Sequence, residues 1–269
     1  MEETMPIIEK KVNKNYLLCF QNENGKIYSS ESIRKSWENR IKYVTENLEK
    51  GIGGLRGLRD AQLGAIFSIR AHWIVSNSAA TIVMPTGTGK TETMIATIVA
   101  ERCKKVFILV PSDLLRTQTV KNCAGFGILK EIGVIDKRAK LPNVLCLKSA
   151  PKTKEELEGL LEAANIIVST AKLVSRFKDE YMNIISNCCD TFIVDEAHHI
   201  EANRWNQIKE YFREKKILQF TATPFRNDGK KIDGDIIYNF PLSKAQEQGY
   251  FKKINFKPIL EFDDEQGDL

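Results

Sequence analysis

The 269-residue sequence has no apolar run approaching the roughly 20 residues that span a bilayer, so no membrane segment is expected. Its opening, MEETMPIIEKK, is acidic where a secretory leader is basic and then apolar, and a cytoplasmic protein is the expectation. C-x-x-C pairs are absent. The cysteines at 19, 103, 123, 146, 188 and 189 suit reduced core residues better than a disulfide frame. With three histidines in all and no ligand-spaced cysteines, a zinc site built on His198 and His199 is disfavoured. Long blocks of one charge are missing too: the net charge of +5 is compatible with a polyanionic partner without demanding one. No internal repeat or low-complexity tract is evident, and the acidic, polar end EFDDEQGDL reads as frayed.

What is present is an ordinary globular composition, 42% hydrophobic and 28% charged, on a chain long enough for one large or two modest domains. In the first fifty residues, two short apolar segments flank Asn24-Gly25, a hairpin turn signal. Ile33, Trp37, Ile41, Val44 and Leu48 then recur at helical spacing, which predicts a helix starting near Ser30 whose apolar face packs on the main body. The glycine-rich GIGGLRGL, Gly51 to Leu58, is the candidate boundary, giving a hairpin-plus-helix extension over 1–54. Beyond it, strands are expected near Thr81 to Met84, Val106 to Val110, Val144 to Leu147, Ile166 to Ser169, Phe192 to Val194 and Ile217 to Phe220. Helices fall between most of them. Near-continuous apolar strands joined by helices indicate an α/β fold, a parallel β-sheet covered by helices on both faces.

Two motifs carry chemistry. TIVMPTGTGKTET places Thr86, Gly87, Thr88, Gly89, Lys90 and Thr91 between a strand and a helix, as a phosphate-binding loop requires, although the usual pattern has glycine where this chain has Met84. Glycines let the backbone turn several N–H groups toward one anion. The helix start adds its positive end, Lys90 reaches the terminal phosphates as a solvent-facing charge, and Thr91 can ligate Mg²⁺. Further on, TFIVDEAHH ends an apolar strand in two adjacent carboxylates. Asp195 is the candidate Mg²⁺ ligand and Glu196 the candidate base for an attacking water. Alone, the pair could equally be an acidic helix start. Together with the glycine loop it points to ATP and Mg²⁺ as cofactors.

MPTGTGKT and DEAH resemble motifs I and II of superfamily 2 helicases and translocases, many of which lack glycine at the position of Met84. LRDAQLGAI resembles their adenine-reading Q-type motif, LVPSDLLRTQ motif Ia, IVSTAKLV motif Ib and FTATPFR motif III, in the family's order over residues 58 to 226. PTGTGKT followed by TATPFR is more similar to the restriction-enzyme branch, with its type III and type I restriction subunits, than to DEAH-type RNA helicases. The resemblance implies an N-terminal RecA-like lobe of the P-loop NTPase class over 55–240, with Gln62 reading adenine. It further implies that Pro111, Ser112, Ser169 and Thr170 contact a nucleic acid backbone, double-stranded DNA being favoured over RNA. His198, Thr221 and Thr223 would couple the two sites. Without it, Ser112 and Thr170 read as helix caps and Gln62 as a helix-surface glutamine. Nothing after FTATPFR resembles motifs IV to VI, and LSKAQEQGYFKK looks like the helix before the crossing to a second lobe. The expectation is therefore the first motor lobe of a larger DNA helicase or translocase, with 241–269 as linker and hydrolysis dependent on a second RecA-like lobe. An RNA helicase lobe and a nucleotide-binding regulatory module without motor activity are the alternatives.

Overall fold

The computed structural model describes residues 7–23, 26–45, 57–199, 202–225 and 233–250. The centre is β5 (Val106–Val110), every residue of which is buried. On one side it pairs in parallel with β7 (Ile166–Thr170), which pairs with β6 (Val144–Leu147). On the other it pairs with β8 (Thr191–Val194), followed by β9 (Lys216–Thr221), β4 (Ala80–Val83) and β10 (Asp235–Asn239), all parallel. The pleat divides the strand residues between two cores. Val106, Ile108 and Val110 face a cluster shared with α2 (Asp60–Val75), α3 (Lys90–Ala100) and α4 (Asp113–Gly125). Phe107 and Leu109 face the other, with α5 (Lys154–Ala163), α7 (Asp179–Cys188) and α8 (Ala202–Tyr211). There Phe192 stacks on Phe212 at 4.2 Å between ring centroids. Period-2 alternation with both faces covered is what a near-continuous apolar strand needs.

All six expected parallel strands are present, within a residue or two at their ends. Two further features come from outside that set. Strand β10 lies at the sheet edge and is only half-buried, and its apolar run is just Ile236 to Tyr238 between two polar residues. Near the start, β1 (Ile7–Val12) pairs antiparallel with β2 (Tyr16–Glu23), and β2 pairs antiparallel with β6, extending the path of paired strands across the sheet. The segments flanking Asn24-Gly25 do pair, as β2 with β3 (Lys26–Ile27), while that dipeptide itself lies outside the described residues.

The helix expected from Ser30 is shorter than its stripe. α1 covers Ser30–Ser36, capped by the Ser29 hydroxyl, and the chain then turns through Asn39 at φ 54°. Ile41 instead bridges Ile135, and the Val44 carbonyl accepts from the Leu58 N–H at 2.7 Å. The stripe does pack on the main body: Ile33 and Trp37 are fully buried, and Trp37 donates from Nε1 to the Lys140 carbonyl at 2.9 Å. A left-handed turn thus keeps the apolar spacing while ending the helix. Gly57 is needed for this crossing, since a Cβ there would lie 2.4 Å from the Val44 carbonyl oxygen. Leu48, most of GIGGLRGL, Arg226 and residues 251–269 lie outside the described residues.

Cys19, Cys103, Cys123, Cys146 and Cys189 are buried and unbridged, with Cys188 half-buried. Among the described residues no helix is long and apolar enough to cross a membrane. The short α6 (Ala171–Val174) and α9 (Leu242–Glu247) complete the elements.

Candidate functional site

The loop after β4 begins by continuing the sheet. Met84 is fully buried and donates its N–H to the Thr221 carbonyl at 2.9 Å, so at the position where the usual motif has glycine this chain still packs a side chain into the core. Pro85 follows, its carbonyl accepting from the Thr88 hydroxyl at 2.7 Å and the Thr88 N–H at 3.3 Å. Gly87 and Gly89 take φ of 85° and 94°, left-handed values that a side chain rarely adopts. Gly89 ends the loop as the N-cap of α3 with no side-chain cap, leaving the helix-start amides turned to the loop. Thr88 is fully buried and faces inward, unlike Thr86 and Thr91, which line the cavity described below.

Lys90 is not the solvent-facing charge the sequence suggests. It is 8% exposed, with Nζ 3.0 Å from Glu196 Oε1 and 3.3 Å from the Met84 carbonyl. The adjacent carboxylates close the site from β8. Asp195 is anchored through its N–H to the Leu109 carbonyl at 2.9 Å, and its Oδ1 accepts from the Glu196 N–H at 3.0 Å. Burial and then the neighbouring Glu196 charge push the Asp195 carboxyl up to about 6, while Lys90 and the Glu196 N–H pull it down. Glu196 sits at φ 50°, a left-handed conformation that costs a non-glycine residue on the order of 1–3 kcal/mol. Its Oε2 is buried without a hydrogen bond, 3.5 Å from His198 Nδ1.

His198 joins the carboxylates to the loop after β9. Its Nδ1 lies 3.0 Å from Thr221 Oγ1, and that hydroxyl donates to the Thr223 carbonyl at 2.7 Å. Because the single hydroxyl hydrogen is used there, the proton between them belongs to Nδ1, which fixes the histidine tautomer. The Thr223 hydroxyl in turn bonds the Phe225 carbonyl at 2.8 Å. His198, Thr221 and Thr223 therefore form one hydrogen-bonded chain that begins at His198, beside Glu196. No cluster of metal-ligating His, Cys, Asp and Glu occurs among the described residues.

Gln62 reaches the same place from α2. Its Oε1 accepts from the Arg59 N–H at 2.9 Å and its Nε2 donates to the Gly89 carbonyl at 3.3 Å. One donor and one acceptor position of the amide remain. Gln62, Thr86, Gly87, Gly89, Lys90, Thr91, Asp195 and Glu196 all line one cavity of about 640 Å³. Arg59, which sequence reading missed, also lines it: Nη1 donates to the Gly87 carbonyl at 2.8 Å and the guanidinium lies 4.5 Å from the Tyr250 ring centroid. Asn122 and Glu131 form the far wall. Nothing in their sequence surroundings marks them, since α4 and the loop after it contribute them only by folding over α3.

The other expected residues lie apart from this cavity, along the same carboxyl edge of the sheet. Ser112 caps α4, accepting from the Leu115 N–H at 3.3 Å, and Thr170 caps α6, accepting from Leu173 N–H at 3.3 Å. In the β5–β7 register Leu109 pairs with Ser169 and Val110 with Thr170, so Pro111, Ser112 and Thr170 stand at one level. Ser169 is fully buried and its hydroxyl has no hydrogen-bond partner.

Residues 56–226 match the family described as "Type III restriction enzyme, res subunit". The chain is similar to the transcription-repair-coupling factor of Haemophilus influenzae, 32% identical over 145 residues, covering 51% of this chain and 11% of that protein. It thus spans about a tenth of that relative's length. Among solved structures, it is similar to a nuclease-deletion mutant of the type ISP restriction-modification enzyme LlaGI in complex with a DNA substrate mimic (20% identity, TM-score 0.48, 72% of this chain and 21% of that one). It is also similar to the UvsW helicase of bacteriophage T4 (14% identity, TM-score 0.45, 73% and 61%) and the Hef helicase domain of Pyrococcus furiosus (25% identity, TM-score 0.40, 59% and 33%). The family match covers well over half of the sequence and contains both the glycine loop and the carboxylate pair, so the chain belongs to the type III restriction enzyme res subunit family and carries a superfamily 2 helicase N-terminal lobe.

Proposed function

We propose that this chain binds Mg²⁺-ATP and acts as the first motor lobe of an ATP-dependent DNA translocase. The observation that carries the reading is the Lys90 ammonium, buried beside Glu196 Oε1 at 3.0 Å in a cavity whose rim is made of left-handed glycines and helix-start amides. The residues present fit the nucleotide and its metal. Backbone amides and one ammonium suit phosphate oxygens. Two adjacent carboxylates sharing a single ammonium leave a net negative site for a divalent cation, with the Thr91 hydroxyl at the cavity wall as an oxygen donor. Mg²⁺, held by Thr91 and Asp195, would supply neutralisation of charge on the transferring phosphoryl group.

The chain's own residues do the rest. Lys90 changes partner from Glu196 to phosphate, which frees the Glu196 carboxylate to accept a proton from water. Gln62 uses its remaining donor and acceptor on the base edge. The chain from His198 through Thr221 to Thr223 reports the state of Glu196 to the loop after β9. Ser112 and Thr170, fixed as caps, offer the amides of two helix starts to backbone phosphates. On this reading residues 55–240 form the lobe, 1–54 an accessory element along its edge, and 241–269 the way to a second lobe that supplies a transition-state arginine.

The test is phosphate release by this chain beside a protein extended through a second lobe, each with and without duplex DNA and duplex RNA. DNA should stimulate the longer protein, and the short chain should be slower by about 10³–10⁵, the worth of an arginine finger in phosphoryl transfer. Equal DNA-stimulated turnover in the two would overturn the two-lobe reading, and stimulation by RNA alone would replace DNA as the track.

A further inference from the structure

The β1–β2 hairpin has no part in the chemistry above, yet its turn is fastened to the same carboxyl edge. The Asn15 carbonyl accepts from the N–H groups of Lys148 at 2.9 Å and Ser149 at 3.2 Å, and the Ser149 hydroxyl donates to Asn15 Oδ1 at 2.7 Å. Within the turn, Asn13 Oδ1 accepts from the N–H groups of Asn15 at 2.7 Å and Tyr16 at 2.9 Å. Both asparagines are thus occupied in holding the turn, and Lys14 stands between them.

Register extends this into a row. Tyr16 pairs with Leu147, Cys146 with Val168, and Val110 with Thr170, so the hairpin turn, Lys148, Thr170 and Ser112 stand at the ends of adjacent strands. At about 4.8 Å per strand, the three steps from β2 to β5 cover about 14 Å, or about four nucleotides of one DNA strand at 3.4 Å each. Lys14, Lys148 and Lys152 are exposed on the hairpin side of this row, and among the described residues none of the three has an ion-pair partner. The carboxylates beside the row are engaged: Asp113 with Arg116 Nη1 at 3.1 Å, and Glu156 with the Lys152 N–H at 2.7 Å. Elsewhere on the surface, Arg34, Arg102 and Lys209 are paired with carboxylates.

We propose that the hairpin turn and the segment after β6 form an accessory strip that grips the DNA backbone, with Lys14, Lys148 and Lys152 contacting phosphates of the strand that passes Ser112 and Thr170. The inference rests on the DNA-motor reading and adds a role for the edge hairpin. Lysines are flexible point charges, and the turn's polar side chains are already bonded within the protein, so the strip reads charge and not sequence. Each phosphate neutralised contributes about 0.9 to the slope of log affinity against log salt on duplex DNA.

The experiment measures fluorescence anisotropy of a labelled duplex DNA titrated with this chain over a series of salt concentrations. Three variants are compared with the parent: Lys14→Ala/Lys148→Ala/Lys152→Ala, the same three positions changed to Arg, and Lys35→Ala/Lys104→Ala/Lys215→Ala. The last triple removes the same charge from α1 and from the residues ahead of β5 and β9, at the opposite edge of the sheet. The strip predicts that the first variant binds at least about tenfold more weakly and loses about 2 to 3 from the salt slope, while the arginine set and the opposite-edge set keep the parent slope. If the parent binds DNA and the two alanine sets behave alike, the strip is wrong and the motor reading stands. If the parent shows no salt-dependent DNA binding, the motor reading fails and the strip with it.

Discussion

The cavity at the glycine loop and the row of residues at the ends of β5, β6 and β7 occupy one edge of one sheet but hold their polar groups in opposite ways. At the loop, polar groups are largely withdrawn from solvent and bonded within the protein: the Lys90 ammonium to the Glu196 carboxylate, the Asp195 carboxylate to the Glu196 N–H, the Gln62 amide to the Gly89 carbonyl. Along the row, the hydroxyls of Ser112 and Thr170 are committed to helix caps, and the charges include exposed lysines with no ion-pair partner among the described residues. Buried charges reward a ligand that can replace each internal partner with a matching one, which gives selectivity. Exposed charges attract any polyanion and are screened by salt. A chemical step belongs in the first environment and a sliding contact in the second.

The contrast between buried and exposed charge is tested most strongly at Glu196. In a protein that includes the second lobe, Glu196→Gln is expected to keep ATP affinity within a few-fold and to cut turnover by roughly 10²–10⁴, the usual worth of a general base. Steady-state hydrolysis at the parent rate would reduce Glu196 to the ion-pair partner of Lys90.

Next comes Lys90 as a structural group. Removing one member of a buried ion pair leaves the other charge uncompensated, at a cost of about 3–5 kcal/mol. Lys90→Ala should therefore lower the stability of the chain in urea denaturation, and adding Glu196→Gln to it should recover part of the loss. A melt indistinguishable from the parent would mean that Lys90 faces water, as the sequence alone suggests.

The smallest effects separate two serines at the row. Ser112→Ala removes an N-cap and should cost about 1 kcal/mol. Ser169→Ala removes a buried hydroxyl that bonds to nothing and should be neutral or slightly stabilising. Denaturation midpoints of the two variants read this directly, and a cost at Ser169 matching that at Ser112 would show an unseen partner.

The sequence made the central strands legible because burial on both faces favours apolar runs, as at Val106–Val110. It also singled out the loop glycines and the carboxylate pair by residue type at short spacing, and the fold brings them to one cavity. Three things were hidden. Strands β1 and β10 end the strand order, each pairing on one side only, and lack such runs. The early end of α1 depends on Asn39 adopting a left-handed conformation, which leaves the apolar spacing through Ile41 intact. The burial of Lys90 and the presence of Arg59 at the loop depend on which distant groups fold against them, Glu196 in one case and the Gly87 carbonyl in the other.

On the proposed reading, the charges at the loop exchange their internal partners for those of a nucleotide. Calorimetric titration of Mg²⁺-ATP into the parent chain and into Lys90→Met, which keeps the length of the side chain and removes only its charge, tests it most directly. The account predicts a saturable heat for the parent, diminished when GTP is the titrant, and a loss of affinity of at least about tenfold in the variant, consistent with a charge-assisted contact. Equal affinities for ATP in the two proteins would contradict it.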